Sequence, residues 1–323
     1  MGLSRRNVLQ ALAAAALPAT LPVLAQQYPA KPIHLILPSS PGTTIDVNGR
    51  YIAEQLGKRM GTSVVVDNRA GAGGGIGSDA VAKVAPDGYT LLFAGTTHFT
   101  TRLLPDSALQ YDPVKQFTAV AKVSAGALAL AVPTDSPYRT LGDLIQALKA
   151  KPGEITYGSG GAGSTSHLCM VMFQDLTQTQ ARHIPYKSNT QVVTDTVGGQ
   201  VAMTWQGSAG VLPLIKAGRL RALAVSSRAR WDTIPDVPTA HDAGAPGLDM
   251  ASWMGVMGPA GLPQPIVELL SAELVRIARS PEYKAFADQA GMVVDVMDHR
   301  SFQASLPGEE QKWARLLKLA QTL

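Results

Sequence analysis

Short apolar runs alternate with amphipathic stretches along the first hundred residues. Ile33 to Leu37, between Pro32 and Pro38, reads as a buried strand. A small polar loop, Ser39 to Asp46, opens a helix over 46–60 whose inward stripe is Val47, Tyr51, Ile52, Leu56 and Met60. A second strand over 64–67 leads through a glycine-rich connection, 68–77, into a helix around 79–84. Pro86-Asp87-Gly88 stops that helix, and a third strand over 89–94 ends in Gly95-Thr96-Thr97. Strand, polar loop, helix, strand at this spacing predicts an α/β layer with a parallel sheet, in which ligands gather at the carboxyl ends of the strands.

The run 117–133 is long, apolar and interrupted only by Lys122, which suits a strand passing from one lobe into another. A second α/β series follows, with helices over 140–149, 165–176, 189–197 and 209–217. Its strands fall over 155–158, 181–186, 201–205 and 220–226. The proline-rich stretch 234–247 leads into 250–258, a return crossing, and the tail is helical over 265–279, 281–289 and 301–321. The expected architecture is therefore α/β in two lobes joined by two crossings around a central ligand cleft. Residues 26–126 plus 253–323 make lobe I and residues 127–252 lobe II, so the loops 39–46 and 158–167 face each other.

Composition narrows the class. Apolar residues make up 46% of the 323 and charged residues 16%, which suits globular cores and not disorder. The formal charge is +4, but Arg5 and Arg6 lie in a segment expected to be removed, and no basic run is interleaved with aromatics, so nucleic acid is not an expected partner. Residues 1–25 read as a twin-arginine-like signal peptide. Arg5-Arg6 precedes the apolar Ala11 to Leu17, and Val23-Leu24-Ala25 is a small-residue exit. The apolar stretch is shorter than the roughly 20 residues a membrane span needs. Cys169 is the only cysteine, which excludes an intrachain disulfide and a cysteine metal cluster. Its helical neighbours mark it as core.

The candidate chemistry centres on Tyr157 to His167, a glycine-rich turn between a strand and a helix. Glycines allow positive φ, and successive amides at a helix start suit an anion. Gly161 and Gly163 shape this turn, and Ser164, Thr165 and Ser166 place hydroxyls beside the first free amides, though Ser164 also reads as a plain N-cap. Thr43 and Thr44 carry the same two readings at the other loop. Asp46 either lines the site or supports its own helix start. Thr96, Thr97 and Gln206 end strands on the cleft side. Lys187 is the one ready cation after a cleft-facing strand, and His167 suits a structural hydrogen bond. Gly158-x-Gly160-x-x-Gly163 fits a dinucleotide fingerprint in form, but the next strand lacks the acid that would hold a ribose. No Gly-x-Ser-x-Gly elbow supports a Ser164/His167 hydrolase, and the six histidines show no metal-ligand pairing. No catalytic residue, metal or cofactor is expected.

A set of segments in order carries a family resemblance. Tyr28-Pro-Ala-Lys-Pro-Ile33, Pro41-Gly42 with Asp46 and Arg50, Val64-Val-Val-Asp-Asn-Arg69 and Gly71-Ala-Gly-Gly-Gly-Ile-Gly77 begin it. Pro86-Asp-Gly-Tyr-Thr-Leu91, Tyr111-Asp-Pro113, His183-Ile-Pro-Tyr-Lys187, Lys216-Ala-Gly-Arg-Leu-Arg-Ala-Leu-Ala-Val225, Pro235-Asp-Val-Pro-Thr239 and Gly258-Pro-Ala-Gly261 continue it. Together they resemble the Bug-type periplasmic substrate-binding proteins of tripartite tricarboxylate transporters, over nearly the whole mature chain. The resemblance implies a type II-like periplasmic binding protein that closes on a small carboxylate and delivers it to inner-membrane transporter subunits. It also implies that the two loops hold one ligand carboxylate, and a monomer is expected. The chain departs from the family pattern at Ser39 and Ser40, where an aromatic residue is usual, and at Gln206, where an aspartate is frequent. The serines make a smaller, more hydroxylated wall. Gln206 cannot supply the negative charge that would pair with an amino group, so di-, tri- or aromatic carboxylates are expected in preference to amino acids. A receptor feeding a signalling partner, or an exported nucleotide-binding or hydrolytic enzyme, remain the alternatives.

Overall fold

The computed structural model describes residues 28–103 and 108–321. The signal-peptide reading on 1–25 lies outside the described residues. Contacts divide the chain into Met1–Ala30, of which only 28–30 are described, and Lys31–Leu323.

Within Lys31–Leu323 the elements run β1 (Ile33–Leu37), α1 (Thr44–Met60), β2 (Val64–Asn68), a 3₁₀ turn (Ala72–Gly74), α2 (Gly75–Ala82), β3 (Thr90–Gly95), α3 (Thr97–Thr100) and β4 (Phe117–Pro133). The second series is α4 (Leu141–Ala150), β5 (Thr156–Ser159), α5 (Thr165–Thr177), β6 (Arg182–Pro185), α6 (Asn189–Val197), β7 (Met203–Gly207), α7 (Ser208–Lys216) and β8 (Leu220–Val225). The chain closes with β9 (Ala251–Pro259), α8 (Gln264–Ala278), α9 (Pro281–Gln289), β10 (Met292–Met297) and α10 (His299–Ala320).

Two sheets share β4. Its first part pairs antiparallel with β9 and with β10, and β9 continues through β3 and β1 to β2. From Leu128 onward it pairs antiparallel with β7 and β8, and β7 continues through β5 to β6. The β1, β2, β3 and the β5, β6, β7 groups are internally parallel, as the βα spacing predicts, but β4 and β9 run against them. The sheets are therefore mixed. The return crossing enters beside Ser226, whose carbonyl accepts from the Met250 amide at 2.9 Å, and begins pairing at Ala251 opposite Ala127.

Three features lay beyond the pattern of the sequence. β10 falls in an apolar run between two helices and becomes a strand because β4 offers it an edge; Asp295 on β10 then pairs with Lys122, the lone cation of the crossing strand. The short α3 follows β3 without the break that Gly95 suggests. In α1 the buried face is turned from the expected stripe: Asn48, Gly49, Ile52, Ala53 and Leu56 are buried, whereas Val47, Tyr51 and Met60 are only partly so. The cause is tertiary. Asn48 Nδ2 donates to Ser124 Oγ on β4 at 2.8 Å, and its carbonyl accepts from the Tyr283 hydroxyl of α9 at 3.0 Å. Tyr51 instead stacks on Phe286, with ring centroids 4.2 Å apart. A polar side chain is tolerated inside when its donors and acceptors are met.

Packing of α10 locks the crossing strands. Phe302, Leu306, Trp313 and Leu317 are buried on one side of this helix, and Phe302 meets Trp253 of β9 edge-on at 5.1 Å. The β4/β9 register shifts between Ala119 and Ala121, and Gln303 Oε1 accepts from the Ala119 amide there at 2.8 Å. Cys169 is buried in the core, as expected. Phe302→Ala is expected to lower stability by about 3–5 kcal/mol through cavity formation, read as a lower urea midpoint with an unchanged m-value.

Candidate functional site

A cavity of about 350 Å³ lies against residues from both sheets, at the small end of the roughly 300–1,000 Å³ usual for small-molecule sites. Helix starts surround it. Thr43 and Thr44 open α1; Ser164, Thr165 and Ser166 open α5; Ser188, Asn189 and Thr190 open α6; Gly207 and Ala209 open α7; all of these line the cavity. Each follows a strand, so the βα order of the chain turns their amino ends to the same side. In each first turn, amides precede the intrahelical hydrogen bonds, and each helix adds about half a positive charge at its start.

The caps explain how these starts are held. Thr43 Oγ1 accepts from the Asp46 amide at 3.3 Å and donates to the Ser40 carbonyl at 3.0 Å. Ser164 Oγ accepts from the His167 amide at 3.3 Å, which leaves the amides of Thr165 and Ser166 ahead of the first capped donor. The α7 start has no cap of its own. Thr44 Oγ1 reaches it from α1, accepting from the Ala209 amide at 3.3 Å. That approach requires glycine at 207, since a Cβ there would sit 2.4 Å from Thr44 Oγ1. Further bonds bridge the same gap: the Ser188 hydroxyl donates to Ser40 Oγ at 3.1 Å, Thr190 donates to the Pro41 carbonyl at 3.4 Å, and Thr100 donates to the Gly163 carbonyl.

Of the residues expected to hold the ligand, Ser39, Ser40, Thr43, Thr44, Thr97, Ser164, Thr165, Ser166 and Gln206 line this cavity. Asp46, Thr96, Gly161 and Gly163 stand outside its lining and support it. Asp46 is buried with its carboxylate accepting from the Gly42 amide at 2.9 Å, Arg50 Nε at 3.0 Å and Asn68 Nδ2 at 2.8 Å. Burial alone would raise its pKa, but these hydrogen bonds and the Arg50 charge outweigh that and hold it below the usual value. It braces the loop at the start of α1 instead of facing an anion. Thr96 is buried, with its Oγ1 2.6 Å from Ser252 Oγ. Gly161 and Gly163 take the positive φ values of 101° and 75° that the turn demands, but their amides are spent inside it, on Ser159 Oγ and His167 Nδ1, both at 3.1 Å. The Gly160 amide likewise donates to Ser166 Oγ at 3.2 Å. The glycines thus position the start of α5, and of the three only Gly160 lies in the cavity lining.

Sequence reasoning passed over Ser188, Asn189 and Thr190, although a serine before a predicted helix is an N-cap signal that could have found them. Ser252, Gly126 and Ala127 sit on the crossing strands, where nothing local marks them. Lys187 also lines the cavity, and among the described residues it is the only charged side chain that does. No group of three His, Cys, Asp or Glu among them could hold a metal ion. Ser159 lies 2.5 Å from His183 Nε2, but Ser159 is buried and outside the lining. His183 stacks between Tyr157, at 4.8 Å, and His167, at 4.4 Å.

A family model described as "Tripartite tricarboxylate transporter family receptor" matches residues 49–321. Protein BugT of Bordetella pertussis (strain Tohama I) is 36% identical over 301 residues, 92% of this chain and 91% of the relative. Among solved structures, R. palustris Rpa4515 with adipate superposes with a TM-score of 0.87 at 32% identity, covering 91% of this chain and 98% of its own. MatC from Rhodopseudomonas palustris with bound malate has a TM-score of 0.82 at 25% identity, covering 90% and 100%.

Three histidines give the fold a pH dependence. Burial lowers His98, His167 and His183 from 6.5 to about 4, and the neighbouring His167 charge adds to the effect on His183. The unfolded chain binds more protons than the folded one between these limits, so stability is fully present above 6.5 and is lost as pH falls toward 4. Each histidine contributes at most about 1.4 kcal/mol per pH unit. Asp46, Asp112, Asp143 and Asp298, held below 3.8, act only beneath this window. Urea unfolding at about pH 7 and about pH 5 is expected to show the loss, and His183→Gln to shrink it.

Proposed function

The chain belongs to the tripartite tricarboxylate transporter receptor family, and on that premise we propose that it captures a small carboxylate in the cavity at the helix starts and closes around it. The observation that carries this reading is electrostatic: four helix starts and Lys187 converge on a cavity that no aspartate or glutamate of the described residues lines. Such a lining favours an anion, and hydroxyls beside first-turn amides suit carboxylate oxygens. Adipate and malate in the two structural neighbours support the same ligand class. Gln206 and the rest of the described lining offer an ammonium group no negative charge, which supports plain carboxylates over amino acids.

Closure follows from contacts divided between two lobes. We take these as 26–126 plus 253–323 and 127–252, a division supported by the change of partners along β4, from β9 and β10 up to Ala127 to β7 and β8 beyond it. A carboxylate touching the starts of α1 and α5 meets both sets only when the lobes are together, and this biases the equilibrium toward the closed form. The bonds from Ser188 to Ser40 and from Thr190 to Pro41 belong to that form. No described helix is long and apolar enough to cross a membrane. The family and the twin-arginine-like segment at residues 5–6 support a receptor exported to the periplasm that hands its ligand to membrane subunits and performs no chemistry on it.

A panel of mono-, di- and tricarboxylates tests the reading by thermal shift. A bound member at about 100 times its Kd should add about 2.7 kcal/mol of stability, and a melting temperature unmoved by the whole panel would refute it. Thr165→Asp should weaken carboxylate binding at least about tenfold through charge repulsion, while a carboxylate in the first turn favours the helix by about 0.3–1 kcal/mol. The unliganded melting temperature is therefore expected to hold or rise.

A further inference from the structure

We infer that the ligand carries one carboxylate and an apolar body, as in a medium-chain or aromatic monocarboxylate, with no second charged end. This rests on the carboxylate-receptor reading and concerns the remainder of the same cavity. The positive features are gathered at the helix starts: Lys187 immediately precedes Ser188, whose hydroxyl bonds Ser40. Beyond the first turns of α6 and α7 the lining changes character. On α6, Val193 lines the cavity one turn, about 6 Å, beyond Asn189; on α7, Leu214 does so about 6 Å beyond Gly210. The two helices meet there, with Val193 Cγ2 lying 3.8 Å from where a Cβ on Gly210 would stand.

The crossing strands complete this apolar wall. Leu128 and Ala127 of β4 line it, and the Met254 methyl group of β9 lies 3.2 Å from the Cβ position of Gly126. Val193 and Leu214 pack in one hydrophobic cluster with Ala127. Two polar side chains nearby have their donors engaged. Thr194 donates to the Thr190 carbonyl at 3.1 Å, and Gln206 Nε2 donates to Thr204 Oγ1 at 3.0 Å and Asn189 Oδ1 at 3.4 Å. Among the described residues no lysine, arginine or histidine lines this wall. A carboxylate pressed against Val193, Leu214 and Met254 loses water and gains no cation, which is unfavourable, whereas methylene or ring carbons gain by leaving water.

Calorimetric titration of the purified chain with hexanoate, adipate and hexanamide separates the possibilities. Hexanoate should bind at least about tenfold more tightly than adipate, equivalent to about 1.4 kcal/mol, and hexanamide far more weakly than hexanoate. Adipate binding equally well or better, or a preference for hexanoate below tenfold, overturns the apolar-body assignment and leaves the carboxylate receptor standing. Failure of hexanoate and adipate alike, with no response to the wider carboxylate panel, overturns the receptor reading itself. Leu214→Lys, which adds a cation to the apolar wall, should shift the adipate-to-hexanoate affinity ratio at least about tenfold toward adipate. An unchanged ratio in a variant with a wild-type circular dichroism spectrum also counts against the assignment. The wild-type comparison stands without that variant.

Discussion

One strand has to satisfy two sheets. β4 is 17 residues long, and its backbone donors and acceptors are met by β9 and β10 along one part and by β7 and β8 along the other. Buried backbone groups must be paired, so the point where partners change is also where the two sheets come closest to being separable. The cavity lies at that point: Gly126, Ala127 and Leu128 are all in its lining. Small residues there leave room beside the strand, and β9 returns alongside them to make the second crossing. The ladders inside each sheet are complete on either side of this position.

The electrostatic character of the cavity is a consequence of the same topology. In each lobe parallel strands feed helices, and those helices begin at the carboxyl ends of the strands. When β4 sets the two lobes face to face, four positive helix starts share one small volume. Little side-chain charge is then needed to favour an anion, and Lys187 is the sole charged group lining the cavity among the described residues. Asp46, close to the same place in sequence, does not disturb this because Arg50, Asn68 and the Gly42 amide enclose its carboxylate.

Much of the site was legible because caps are local. Thr43 and Ser164 each accept from an amide three residues ahead, a geometry that depends only on neighbouring residues. The glycine turn before α5 was legible for its shape but not for where its amides donate. Positive φ at Gly161 and Gly163 follows from residue type, but the destinations of their amides depend on Ser159 and on the His167 ring. Thr96 shows the same limit: its position at a strand end was readable, and its engagement by Ser252 required a strand more than 150 residues later.

By itself the sequence determined the order of strands and helices, the capped loops, the long crossing strand and the family to which these segments correspond. Hydrophobic period, proline and glycine placement and capping chemistry act within a few residues, so they can be read without the fold. Tertiary structure decided the rest: the antiparallel course of β4 and β9, the existence of β10, the rotated face of α1, and the gathering of four helix starts and the crossing strands around one cavity. Those depend on which edges and side chains meet across long stretches of chain. Val193 and Leu214 look like ordinary core residues of two helices, and only the packing of α6 against α7 beside Ala127 brings them to the cavity.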